Sequence, residues 1–189
     1  MKQGKALYVP YARLIDTLSA QKGIHSARDK SILMLSHYMG LRAMELAALT
    51  IGDVFDASSG KIRETVRLLV TKGQHFREVP LVNEAARETL RQYLLTRSVR
   101  LADTPLFLSQ RGGGFSANTM QRLVAICYQR AGVKGSSHSG RRSYATNLIQ
   151  AGADIYTVQI LMGHSSIMTT QEYFTTSPVR MAKFAALLA

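Results

Sequence analysis

Between residues 54 and 81 the hydrophobic pattern changes period, and that switch limits the architectures open to the chain. Asp56-Ala57-Ser58-Ser59-Gly60 is a turn signal, and a β-rich run follows over residues 62–70. Lys72-Gly73-Gln74-His75 has the composition of a tight hairpin, and residues 76–81 read as the returning strand. On either side the apolar residues recur at helical spacing. A short hairpin set between two helical stretches gives an α+β chain, mainly α-helical, with a small antiparallel β-sheet near residues 54–81.

The helical stretches carry their own punctuation. Leu14, Ile15 and Leu18 share one face of a first helix, and Ser26 can cap a second whose apolar face includes Ile32, Leu33, Leu35 and Met39. Gly40 ends it, and residues 42–49 read as a short third helix with Leu46 and Leu49 inward. After the hairpin, Asn83 caps a helix to about residue 97, Ser116 one to about residue 131, and Asp154 one that faces inward through Ile155, Val158, Leu161 and Met162. Another helix opens near Gly140, and Met181, Phe184, Ala185 and Leu188 form an apolar stripe over residues 179–188. No repeat, low-complexity tract or linker interrupts the 189 residues, which suit one well-packed domain.

Charge narrows the partner. Lys and Arg number 24 against 12 acidic residues, a formal +12 that fits a polyanion, because each phosphate neutralised releases condensed counterions. The alternatives, a membrane surface or mere solubility, remain open on charge alone. No apolar run reaches the ~18 residues of a membrane span, and the basic start has no apolar signal core behind it, so a cytoplasmic protein is expected. The single cysteine, Cys127, excludes an internal disulfide and a cysteine-rich zinc cluster.

Two stretches carry the residue types of phosphate chemistry. His138-Ser139-Gly140-Arg141-Arg142 opens a helix, which sets His138 and Arg141 one turn apart where free backbone N–H groups can meet an anion. In the run from Met162 to Tyr173, Thr169-x-x-Glu172 fits a capping box, so a helix is expected to start there with Tyr173 in its first turn or just beyond. Each residue also has an ordinary reading: a solvated cluster for His138 and the arginines, a loop position for His164, a packed ring for Tyr173.

The combination is more specific. With Gly40-Leu41-Arg42-Ala43-Met44-Glu45-Leu46 and Thr71-Lys72-Gly73…Arg77-Glu78-Val79-Pro80-Leu81, these stretches resemble the tyrosine recombinase (phage integrase) family, in its order, from about Arg28 to Tyr173. Six positions agree: Arg42, Lys72, His138, Arg141, His164 and Tyr173. The resemblance implies the integrase catalytic fold and site-specific DNA recombination through a covalent 3′-phosphotyrosine. In that scheme Tyr173 is the nucleophile, Arg42 and Arg141 clamp the scissile phosphate from two helix starts, and His138 is the general base. Lys72 protonates the leaving 5′ oxygen, His164 hydrogen-bonds the phosphate, and Glu45 orients an arginine. Arginine suits its part because its planar fork meets phosphate bidentately and stays charged. Neither metal nor cofactor is implied, and the sequence holds no Gly-rich phosphate loop, acidic cluster or HExxH motif. The implied partner is double-stranded DNA, with a tetrameric assembly on it and at most weak self-association without it, in a bacterial or phage setting.

Position 140 is glycine where the family commonly has leucine. Nothing in the sequence supplies the N-terminal DNA-binding domain of full-length relatives, so residues 1–189 are read as the catalytic domain alone, a fragment or one of the small recombinases. The rival readings are a type IB topoisomerase, which relaxes supercoils with similar tyrosine chemistry, and a non-catalytic DNA-binding regulator. The stripe over residues 179–188 would dock on a neighbouring protomer or pack on its own core, with Thr175-Thr176-Ser177-Pro178 as the hinge.

Overall fold

A computed structural model describes residues 6–70, 75–98, 101–174 and 186. In chain order it shows helices α1 (Tyr11–Ser19), α2 (Ser26–Met39), α3 (Ala43–Ala48) and α4 (Ile51–Val54). Strands β1 (Phe55–Asp56), β2 (Lys61–Ile62), β3 (Thr65–Val70) and β4 (His75–Pro80) follow. Helices α5 (Glu84–Leu95), α6 (Ala117–Arg130), α7 (Ser139–Gln150), α8 (Ile155–Met162) and α9 (Ile167–Gln171) complete the described elements.

Helix α2 is the axis of the molecule. Residues on nearly every side of it are buried, including Ile32, Leu33 and Leu35, because α5, α6 and α7 all pack against it. Two of its buried polar groups are matched across these contacts: the Ser31 hydroxyl donates to the Thr89 carbonyl at 2.8 Å, and His37 Nε2 meets the Tyr128 hydroxyl at 2.8 Å, while the buried Ser36 hydroxyl has no partner among the described residues. Glycine at position 140 has a steric reason here. A Cβ on it would stand 2.9 Å from the Ser36 Cβ, so α7 crosses α2 at a distance only a missing side chain permits.

The β segment is two small antiparallel ladders rather than one. β1 pairs with β2, and β3 with β4 in the register Val66 to Val79 and Leu68 to Arg77. The 62–70 run breaks at Arg63 and Glu64, outside both ladders. Val66, Leu68 and Val79 enter the core, and Arg77 lies on the same inward side of β4, which packs against α8.

The expected caps at Asn83, Ser116 and Asp154 all accept from backbone N–H groups of α5, α6 and α8. The last of the described helices differs from expectation. Ser166 caps it, accepting from the Met168 N–H, so α9 begins at Ile167 and ends at Gln171. Tyr173 therefore follows the end of the helix, and Thr169 lies inside it. A second, smaller apolar cluster of Ala145, Ile149, Val158 and Met162 takes Tyr173 and Phe174 onto its edge. The proposed hinge and the stripe over residues 179–188 lie outside the described residues, apart from residue 186.

Candidate active site

Helix α8 ends at Gly163, whose left-handed backbone (φ +59°) releases three successive carbonyls from the helix terminus. Each accepts from a different arginine. Arg77 donates to Leu161, Arg141 donates to Met162, and Arg42 donates through Nη2 to Gly163 at 3.0 Å. Three cations on the negative end of a helix dipole are favourable, though they repel one another. Glu45 offsets that repulsion. Its Oε1 accepts from Arg42 Nη1 at 2.9 Å, and its Oε2 accepts from Arg77 Nη2 at 2.9 Å and from the Arg42 backbone N–H at 2.7 Å.

Local sequence explains each placement. Arg42 is the N-cap of α3 in extended backbone, and Glu45 is the third residue of that helix, so the carboxylate folds back onto the cap. Arg141 is the third residue of α7, where its face looks to α2; it is 4% exposed and donates through Nη1 to the Gly40 carbonyl at 2.6 Å. Arg77 arrives from β4 in phase with Val79.

These neighbours set the charges. Burial opposes ionisation of Glu45, but the Arg77 charge, the Arg42 N–H and the Arg42 and Arg141 charges outweigh it and hold the carboxyl below its ordinary range. Burial, then Arg42, and further Arg77, push Arg141 down to about 9 against the opposing pull of Glu45 and Tyr173, so it remains a cation at neutral pH. Burial, then Arg141, Arg42 and Arg77, push His164 down to about 4. His164 is thus a neutral imidazole at neutral pH. Its Nδ1 meets the Thr170 hydroxyl at 2.9 Å, which leaves Nε2 as the nitrogen free of that bond.

Tyr173 stacks on His164, with ring centroids 6.0 Å apart and planes 16° from parallel. The Arg142 guanidinium lies 5.6 Å from the same ring centroid, within cation–π range. His138, Arg141, Arg142 and Tyr173 line one open cleft of about 680 Å³, which Lys134 also borders. His138 is exposed at the N-cap of α7, its backbone N–H donating to the Ser136 hydroxyl at 3.3 Å.

Of the six positions singled out in the sequence, five therefore meet around the α8 terminus and the adjoining cleft: Arg42, His138, Arg141, His164 and Tyr173. Lys72 lies outside the described residues. The sequence reading missed Arg77 and Thr170 as members of the cluster. A usable signal for Arg77 was a basic residue in phase with the inward face of a strand; Thr170 offered none before the helix boundaries were known. Among the described residues no group of three or more His, Cys, Asp or Glu is placed to hold a metal ion, and no helix is long and apolar enough to cross a membrane.

The model of the phage integrase family matches residues 10–179. Among curated proteins, the chain is 31% identical over 190 residues to the tyrosine recombinase XerC of Syntrophus aciditrophicus, covering 92% of this chain and 59% of that protein. It is 39% identical over 157 residues to the XerC of Corynebacterium efficiens, covering 82% of this chain and 48% of the relative. The chain thus spans about half the length of the curated relatives it matches. Among solved structures, the XerA recombinase superposes with a TM-score of 0.76 at 25% identity, covering 99% of this chain and 65% of the other. The XerH site-specific recombinase bound to difH substrate, in a pre-cleavage complex, superposes with a TM-score of 0.72 at 24% identity, covering 96% and 55%, a likeness of fold.

Proposed function

The chain belongs to the phage integrase family, and from that membership we propose that it cuts and rejoins double-stranded DNA at specific sites through a covalent 3′-phosphotyrosine bond. The observation that carries this reading is the meeting of Arg42 and Arg141, distant in sequence, on the adjacent carbonyls of Gly163 and Met162, beside a helix-terminal His164 stacked on Tyr173.

In the proposed reaction the Tyr173 phenolic oxygen attacks the scissile phosphorus while its proton passes to His138. The bond from phosphorus to the 5′ oxygen breaks, and Lys72 protonates that oxygen. A free 5′-hydroxyl and a phosphotyrosine result, and rejoining reverses the steps with another 5′-hydroxyl as nucleophile, so the number of phosphoester bonds is conserved. Arg42 and Arg141 bind the non-bridging oxygens, where negative charge grows in the pentavalent transition state. One such preorganised donor is typically worth ~3–4 kcal/mol. Both arginines spend only part of their five N–H donors on protein carbonyls and Glu45, which leaves donors for phosphate. The Thr170 hydroxyl engages His164 Nδ1, and in the tautomer whose Nδ1 accepts from that hydroxyl the ring presents Nε2–H to the same oxygens. Arg142 over the Tyr173 ring adds a further cation beside the phenol.

DNA as the partner rests on the +12 charge and on relatives solved on DNA, the XerH complex among them. The recombinase role, assembly on DNA, residues 1–189 as a catalytic unit, and action in the bacterial cytoplasm belong to the same reading. A nicked duplex that traps the cleaved state tests it. The unsubstituted chain should give a protein–DNA adduct that survives denaturing electrophoresis, and Tyr173→Phe should give none. Supercoil relaxation of a plasmid without a recombination site, as the sole activity, would instead place the chain among topoisomerases.

A further inference from the structure

Arg77 is 8% exposed and its side chain joins three separate elements, which an ordinary ion pair does not need to do. From β4 it donates to the Glu45 carboxylate of α3 at 2.9 Å and to the Leu161 carbonyl of α8. Its stem fills the space that a side chain on Gly163 would take: a Cβ there would stand 2.5 Å from the Arg77 Cδ. The carboxylate that Arg77 grips through Oε2 is the one that holds the Arg42 guanidinium through Oε1. The turn against which the Arg77 stem lies is the one that carries His164. Each of these contacts of the buried cation thus leads, one step on, to a group that the proposed reaction assigns to the phosphate.

We propose that Arg77 is a positioning residue of the cleavage centre: through Glu45 it aims Arg42, and through the Leu161 carbonyl and Gly163 it fixes the turn that presents His164, without touching DNA itself. This rests on the reading of Arg42 and His164 as phosphate ligands. A purely structural ion pair would lower thermal stability and lower the active fraction, leaving the rate of the remaining molecules intact. A positioning residue instead slows the chemical step of folded, DNA-bound molecules, because misplacing a reacting group by about 1 Å can cost about 100-fold.

The probe is a nicked duplex selected from a random-sequence library by covalent trapping with the unsubstituted chain. Arg77→Met should form adduct about 100-fold more slowly at saturating duplex, while the half-saturating duplex concentration stays within roughly twofold. Arg77→Lys should recover only part of that rate, since an ammonium cannot span the carboxylate and the carbonyl as a planar fork does. On a Glu45→Gln background, Arg77→Met should cost less than its full factor in the unsubstituted chain, because both changes release the same Arg42 side chain and only the route through the Leu161 carbonyl and Gly163 remains to be lost. An unchanged rate for Arg77→Met, or losses that multiply in full with Glu45→Gln, overturns the proposal. If Arg77→Met does not fold, Arg77→Lys carries the test, and full activity there overturns it. The 15N spectrum of the His164 imidazole in the DNA-free chain separates this inference from the reaction assigned above. A changed tautomer population in Arg77→Lys supports positioning and an unchanged one overturns it, even if no duplex in the library yields an adduct and the assigned reaction fails.

Discussion

Burial governs the chemistry of single residues here more than their identities do. Arg141 is almost wholly enclosed, yet two carbonyls, Gly40 and Met162, and the nearby Glu45 compensate its charge. Histidines respond the other way. Burial pushes His37, beside the Tyr128 hydroxyl, down to about 4, and burial followed by three arginine charges brings His164 to about 4 as well. In the unfolded chain both return to about 6.5. Below that pH the unfolded chain binds two protons that the folded chain refuses until about pH 4, so stability is full above pH 6.5 and is lost as pH falls through this window. Thermal melts should show a level midpoint above about pH 7 and a steady fall from there towards pH 4. A midpoint level across the window would mean that these rings are not held neutral.

At the scale of elements, the α8 terminus gathers the three arginines, and Gly163 makes it. Its positive φ and the Arg77 stem in the space of its missing Cβ both exclude a side chain. Gly163→Ala should therefore destabilise the fold by about 1–3 kcal/mol, seen as a lower urea midpoint with an unchanged slope; an unshifted midpoint would contradict the packing described. Local chemistry made much of this scale legible from sequence. Asn83, Ser116 and Asp154 each cap within three residues of themselves, so their signals needed no tertiary knowledge. The competition between Ser166 and Thr169 for the start of α9 was not legible, because His164 engages the buried Thr170 hydroxyl and the pairing fixes the turn from outside the helix. Arg77 escaped notice for a similar reason: its partners, Glu45 and Leu161, lie on other elements.

At the scale of the whole molecule, two apolar clusters share one charged seam. The main core gathers around α2, and the smaller cluster of α7 and α8 carries Tyr173 at its edge. Between them run Arg42, Arg77, Arg141 and Glu45, so the proposed nucleophile sits on a different packing unit from the Arg42 that would steady its target. The order of motifs along the chain was enough to bring the resemblance to the tyrosine recombinases into view, and the family match over residues 10–179 bears it out. The central claim is that this seam directs one phenol to one phosphate. Of the eight tyrosines, Tyr11 and Tyr156 are far more exposed than most and would be the natural sites of an unspecific attack. Mass spectrometry of the nuclease-trimmed, proteolysed adduct from the nicked duplex reads the attachment point directly. A nucleotide 3′-phosphate on Tyr173 alone is the expected result; a nucleotide on any other tyrosine, with Tyr173 unmodified, would contradict the assignment of Tyr173 as nucleophile.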